Sequence, residues 1–174
     1  TELPAGYGDS PPDMSLLLTP EAAVAAGPSV VGGKGWALGR MAAVGLRLPP
    51  THCVPISVYQ QYVKATGLDE RVALELGRKE LSQMRWEELW DASLRIRHLF
   101  GHTDFPPELE RRLSERIEQT TGTGPAAVRS SAIGEDSGEI SFAGLHESVV
   151  GAAHRSRCHL AVRVATHSLP VRLV

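Results

Sequence analysis

The amino-acid sequence predicts an α+β or α/β fold in which short strands flank a helical middle segment. Apolar residues recur at three- and four-residue spacing through residues 68–119, which is the periodicity of a buried helix face. Short runs typical of strands occur on both sides, at residues 30–31, 53–54 and 126–131. The 174 residues, of which 42% are hydrophobic, can form a single core, so one domain or part of one is expected.

The N-terminal residues predict a flexible arm followed by a capped helix. Residues 1–14 are polar and rich in Pro and Gly, so they can bury little. Order is expected to begin with the short run at residues 15–18. Thr19, Pro20 and Glu21 then have the features of a helix start: a capping hydroxyl, a proline at the first position and an early carboxylate. This helix is expected to end near Ala26.

Glycine and proline set the next boundaries. The sequence GGKG at residues 32–35 is predicted to open a second helix, after an extended piece at residues 30–31. Residues 45–50 (GLRLPP) are expected to be extended, because each proline keeps the residue before it out of the helical region.

The middle of the chain is predicted to be helical. Ser57 and Gln60 have the spacing of a capping box, and the helix that they indicate should end at Gly67. Helices are then expected through residues 68–119. After them, residues 126–131 are predicted to form a strand, and residues 146–150 a returning strand.

Charge and composition disfavour several functions. The chain has 18 Lys and Arg against 20 Asp and Glu, so no basic surface for nucleic acid is expected. No apolar stretch approaches the roughly 20 residues of a membrane-spanning helix, so no membrane partner is expected. Two cysteines are too few for a disulfide framework, which predicts a cytoplasmic location.

Lys34 lies among glycines, a pattern that suits phosphate. Glycines let backbone N–H groups approach an anion, and an ammonium group neutralises its charge. The loop is not a Walker A sequence, since Pro28 stands where the first glycine belongs and Gly35 where Ser or Thr should be. A tight turn with a solvated lysine is an equally open interpretation.

Arg129 is the second candidate for phosphate binding. It lies on the predicted strand, and its planar guanidinium could hold a phosphate through charge-assisted hydrogen bonds. A structural ion pair with an acidic residue of the segment 135–139 remains open as the alternative.

Taken together, these motifs carry a family resemblance. The order GGKG at 32–35, GLRLPP at 45–50 and AVRSSAIGEDSGEISFAG at 127–144 resembles the N-terminal ATP-binding domain of phosphoenolpyruvate synthases, pyruvate phosphate dikinases and rifampin phosphotransferases. It covers about residues 16–151, and it implies an ATP-grasp-like N-terminal lobe over residues 15–151. Residues 152–174 look like an atypical tail, for which a fragment boundary or a frame change is suspected.

The resemblance also implies roles for particular residues. Lys34 would contact the nucleotide phosphates, and Arg129 would act as the catalytic residue that holds the terminal phosphates during transfer. The loop from Ser131 to Gly144 would fold over them. The further ATP-binding residues implied on that loop are Ser141, Ala143 and Gly144.

By the same resemblance, the chain would be the ATP-binding portion of a phosphotransferase. Such enzymes cleave ATP to AMP and pass a phosphoryl group through a histidine to pyruvate or a small molecule such as an antibiotic. The acidic Mg²⁺ ligands are expected on a second ATP-grasp lobe that is missing here, as are the phosphohistidine and acceptor-binding domains. A non-catalytic nucleotide-binding or regulatory remnant is the alternative, and a helical scaffold is a third.

Overall fold

The computed structural model describes residues 16–121, 126–131 and 148–152. These ranges are mostly helical with little strand, which confirms the helical middle segment. The helices are α1 (Pro20–Ala26), α2 (Pro28–Ala43), α3 (Ile56–Thr66), α4 (Leu68–Leu76), α5 (Trp86–Gly101) and α6 (Pro107–Thr121), with a short 3-10 helix at Leu81–Gln83. The strands are β1 (Ala126–Arg129) and β2 (Ser148–Ala152). Within the described ranges, no helix combines the length and apolarity needed to cross a bilayer.

Helix α1 begins where the sequence predicts. The Thr19 hydroxyl accepts a hydrogen bond from the Ala22 amide at 3.3 Å, with Pro20 at the first helical position. Just before the helix, Leu18 forms an antiparallel bridge with Cys53, through backbone N···O distances of 2.8 and 2.9 Å. This bridge holds the two ends of the α1–α2 segment together.

Helix α2 corrects the extended piece predicted at residues 30–31. The amides of Val30 and Val31 donate to the Gly27 carbonyl at 3.1 and 3.3 Å, so both valines lie in the first turn. The helix starts early because Pro28 suits a first helical position. Within α2, Gly32 has a φ of 73° and a ψ of 169°, which interrupt the helix before it resumes.

Helix α3 corrects the predicted capping box and confirms the predicted end. The helix begins at Ile56 with the extended Pro55 as its N-cap, so Ser57 lies inside the first turn and caps nothing. Its buried hydroxyl has no hydrogen-bond partner in the part of the chain that the structure describes. At the other end Gly67 takes the left-handed conformation, with φ 66°.

The predicted helical region after Gly67 forms α4, α5 and α6. Their apolar faces pack with α3 and the N-terminal leucines into the main core, which keeps the three- and four-residue spacing. Its buried members are Leu16, Leu17, Val58, Tyr62, Val63, Leu68, Ile96, Phe100, Phe105, Leu109 and Leu113. At the edge of this core, an ion pair of 2.7 Å between Arg95 and Glu75 links α5 to α4.

The two strands pair as the sequence predicts, with shifted ends. Strands β1 and β2 are antiparallel, with Val128 opposite Val149 and Arg129 opposite Ser148. Strand β1 ends at Arg129 rather than residue 131, and β2 lies two residues beyond the predicted 146–150. This pairing fixes the backbone that carries Arg129.

Candidate functional site

A small second core lies beneath the glycine loop. Its buried members are Ala23, Val31 and Cys53, and Leu18, Val30 and Trp36 pack against them. Burial raises the pKa of the Cys53 thiol, so the sulfur stays protonated and serves packing. The face of Trp36 also receives the Arg40 guanidinium, 4.9 Å from the ring centroid. The glycine loop is therefore supported by this small core.

The Ser131 hydroxyl joins the glycine loop to the end of β1. Its oxygen accepts a hydrogen bond from the Gly35 amide at 2.9 Å and donates one to the Val31 carbonyl at 2.7 Å. These partners lie 96 and 100 positions away along the chain. A single side chain thus holds both sides of the loop that contains Lys34.

Gly32 allows this close approach. A Cβ atom at this position would lie 2.1 Å from the Ser131 carbonyl oxygen and 2.4 Å from its hydroxyl oxygen. The φ of 73° with ψ of 169° also belongs to a region that is essentially restricted to glycine. The loop and the strand end are therefore in direct contact through their backbones.

The two predicted cationic residues lie on these contacting segments. Lys34 precedes Gly35, the donor to Ser131, and Arg129 precedes Ser131 by two positions. Both side chains are exposed. The structure thus brings together the segments of Lys34 and Arg129, although their contacts with nucleotide stay predictions.

Ser130 lies between Arg129 and Ser131 and points the other way. Its side chain is 2% exposed, and its hydroxyl has no hydrogen-bond partner among the described residues. Exposure of Arg129 and burial of Ser130 follow the alternation of an extended chain. The arginine side chain is therefore directed to solvent, while that of its neighbour is buried.

The other predicted site residues are not part of the described structure. Ser141, Ala143 and Gly144 lie outside the described residues, as does the covering loop beyond Ser131. Among described residues, no group of three or more His, Cys, Asp or Glu side chains could hold a metal ion. The described part therefore offers cationic and backbone groups for an anion.

The role of Ser131 could not be predicted from the sequence. The family resemblance places this residue at the start of a covering loop, whereas its hydroxyl fastens the glycine loop to β1. The available signal was a small polar residue directly after a strand, together with a distant glycine run. That signal does not specify which of the two adjacent serines makes the contact.

Comparison with known families assigns the chain to a class. The family described as pyruvate phosphate dikinase, AMP/ATP-binding domain matches residues 28–170, which is most of the chain. The chain therefore belongs to this family of AMP/ATP-binding domains, and the predicted resemblance is confirmed.

The similar proteins include phosphoenolpyruvate synthases and rifampicin phosphotransferases. The chain is 34% identical over 145 residues to a phosphoenolpyruvate synthase of Aeropyrum pernix, covering 80% of this chain and 18% of that protein. It is 33% identical over 124 residues to a probable phosphoenolpyruvate synthase of Methanocaldococcus jannaschii, covering 68% and 10%. A rifampicin phosphotransferase of Streptomyces sviceus is 34% identical over 139 residues, covering 75% and 16%. The chain thus spans less than a fifth of the length of these relatives.

Proposed function

We propose that the chain is the ATP-binding, ATP-grasp-like N-terminal lobe of a phosphotransferase of the phosphoenolpyruvate synthase and rifampicin phosphotransferase type. In this proposal residues 15–151 form the lobe. The observation that carries it is the contact of Ser131 with Val31 and Gly35, which joins the glycine loop to the strand end that bears Arg129. Family membership supplies the nucleotide as the ligand.

Lys34 and Arg129 are proposed to bind the same polyphosphate. Both side chains are exposed, and they lie on the two segments that Ser131 joins. An anion bound between them would be neutralised by both charges. Phosphoryl transfer depends mainly on positioning and charge neutralisation, and these two cations would supply part of both. Arg129 is assigned the terminal phosphates. Ser141, Ala143 and Gly144 are proposed to cover the nucleotide.

The rest of the reaction is proposed to need groups beyond the described residues. Mg²⁺ would be held by acidic side chains of a second lobe. The phosphoryl group would pass from ATP, leaving AMP, to a histidine and then to pyruvate or a small molecule. Relatives named phosphoenolpyruvate synthase and rifampicin phosphotransferase support a role in making phosphoenolpyruvate or in transfer of a phosphoryl group to a drug.

Calorimetric titration of the 174-residue chain with ATP and Mg²⁺ tests the proposal. Charge-assisted hydrogen bonds contribute about 1.5–3 kcal/mol, so Lys34→Ala and Arg129→Ala should each weaken ATP binding by roughly 10- to 150-fold. Lys64→Ala and Arg97→Ala remove an exposed cation from other helices and serve as matched controls. These controls should bind ATP like the unmodified chain.

The outcome also separates the alternatives. If Lys34→Ala and Arg129→Ala bind as tightly as the controls, the phosphate roles are wrong. ATP binding without AMP formation is expected of the chain alone, since the proposal assigns Mg²⁺ and the transfer histidine to groups beyond the described residues. If ATP neither binds nor raises the melting temperature, the chain is a scaffold, since a ligand of the native state must stabilise it.

A further inference from the structure

The Ser131 hydroxyl spans the glycine loop from one side to the other. It contacts the Val31 carbonyl before Gly32 and the Gly35 amide after Lys34. Val31 and Gly35 therefore cannot separate from Ser131 without breaking a hydrogen bond. One hydroxyl thus restrains both ends of the loop.

The same residue is tied closely to Arg129. Consecutive Cα atoms are about 3.8 Å apart, so the Cα atoms of Arg129 and Ser131 are separated by no more than about 7.6 Å. Arg129 is itself held by its pairing with Ser148 in the sheet. Ser131 therefore connects a backbone fixed by β2 to a loop that carries Lys34.

We propose that Ser131 is a positioning residue that sets the separation between Lys34 and Arg129 and so prepares both cations for one polyphosphate. This inference rests on the proposed function. The serine need not touch the nucleotide, because its hydroxyl is already engaged by Val31 and Gly35. Ser131 would instead hold the two segments in place before ATP binds, so that binding loses less conformational entropy.

The neighbouring serine provides a matched control. Ser130 has the same side chain on the same backbone, yet its hydroxyl bonds to none of the described residues. Ser130→Ala therefore removes a hydroxyl from the strand end without releasing the glycine loop. Ser131→Thr retains the hydroxyl and serves as the rescue variant, and Ser131→Cys retains the size with a much weaker hydrogen-bonding group.

ATP titration of these variants, at a temperature well below each melting transition, tests the inference. Two hydrogen bonds of ordinary strength are lost in Ser131→Ala, so its Kd for ATP should rise about 5- to 30-fold. Ser131→Cys should show most of this loss. Ser130→Ala and Ser131→Thr should stay within about threefold of the unmodified chain, since their loop contacts remain.

A double-mutant cycle measures the coupling free energy between the two cations in ATP binding. A loss of stability alone would not change this quantity. In the unmodified chain, Lys34→Ala and Arg129→Ala should be non-additive, because both cations contact one ligand. In the Ser131→Ala background this coupling should shrink towards zero. If Ser131→Ala proves unfolded, the Ser131→Cys background takes its place in the cycle.

The possible failures are distinguishable. If the unmodified chain binds ATP and the two cation variants weaken binding, but Ser131→Ala binds like Ser130→Ala with the coupling intact, only the positioning role is wrong. A lower melting temperature of Ser131→Ala with unchanged ATP affinity would overturn the positioning role in the same way. If Lys34→Ala and Arg129→Ala have no effect, the proposed function falls together with this inference.

Discussion

A methyl group on Gly32 would lie 2.1 Å from the carbonyl oxygen of Ser131, so the backbones of these two residues touch with no room for a side chain. Gly32 also has a φ of 73°, which L-residues with a side chain rarely adopt. The two constraints act at the same position, and each can be tested by substitution.

We expect Gly32→Ala to lower the free energy of unfolding by about 3 kcal/mol or more, because backbone strain and a steric clash add together. Urea denaturation measures this loss. Gly45→Ala is the matched control, since Gly45 also has a positive φ, 81°, but nothing within 4 Å of a Cβ atom. It should lose only about 1–2 kcal/mol, from strain alone. Equal losses in the two variants would show that Gly32 and Ser131 are not in contact.

Leu113 anchors α6 in the main core. Its side chain is 0% exposed, so Leu113→Ala should leave a cavity and lower the free energy of unfolding by about 2–5 kcal/mol. Chemical denaturation followed by circular dichroism measures the change. Leu74→Ala makes the same truncation at a side chain that is 72% exposed, and its effect should stay within about 0.5 kcal/mol. A comparable effect at both leucines would contradict the packing of α6.

Tyr62 donates a hydrogen bond from its hydroxyl to the Thr103 carbonyl at 3.1 Å. Tyr62→Phe removes this bond and should destabilise the chain by about 1 kcal/mol, as measured by urea denaturation. Tyr59 lies on the same helix, and its hydroxyl forms no hydrogen bond with a described residue. Tyr59→Phe should therefore change stability by less than about 0.5 kcal/mol. If the two variants were equally stable, the bond to Thr103 would not contribute.

Glu88 predicts a pH dependence of stability. The Lys79 ammonium, followed by the Arg85 amide, lowers the pKa of Glu88 from 4.5 to about 2. Because the folded-state pKa lies below the unfolded one, this stabilisation is present above about pH 4.5 and is lost as pH falls towards 2. Glu88→Gln should therefore be less stable than the unmodified chain at about pH 7. The difference in stability should shrink as the pH falls through this window. The effect should be small and weaker in high salt, because the pair is exposed.

The control for Glu88 is its neighbour in the same turn. Glu87 is exposed and forms no ion pair with a described residue, so the difference between Glu88→Gln and Glu87→Gln isolates the pair of Glu88 with Lys79. Thermal melts at several pH values and low ionic strength make the comparison. A stability difference for Glu88→Gln that stays constant from about pH 7 to about pH 2 would rule out the pair with Lys79 as its source.

The elements that the sequence predicted well are those decided by neighbouring residues. The hydroxyl of Thr19 and the left-handed turn at Gly67 act within one helical turn, so their patterns located the start of α1 and the end of α3. The spacing of Leu109 and Leu113 likewise identified the buried face of α6.

The errors arose where one local signal competed with another. Val30 and Val31 are β-branched and indicated an extended piece, but Pro28 started a helix whose first turn packs Val31 on Ala23. Ser57 and Gln60 matched a capping box, but the helix had already begun at Ile56. These outcomes depend on packing and on the exact first residue, which short patterns do not define.

The candidate site was predicted in part. Family motifs indicated Lys34 and Arg129, and the structure brings their segments together through Ser131. The contact itself joins residues 96 positions apart, and no local periodicity encodes a pairing of that range. Its geometry is therefore a property of the folded chain that no short pattern specifies.

The distance along the chain between Gly35 and Ser131 also has a kinetic consequence. The helices form from nearby residues, whereas this contact requires 96 positions of intervening chain to close first, with the loop entropy that closure loses. On dilution from denaturant, the helical circular dichroism signal should therefore recover before the Gly35 amide becomes protected from hydrogen exchange. The glycine loop would then be among the last regions to reach its native shape.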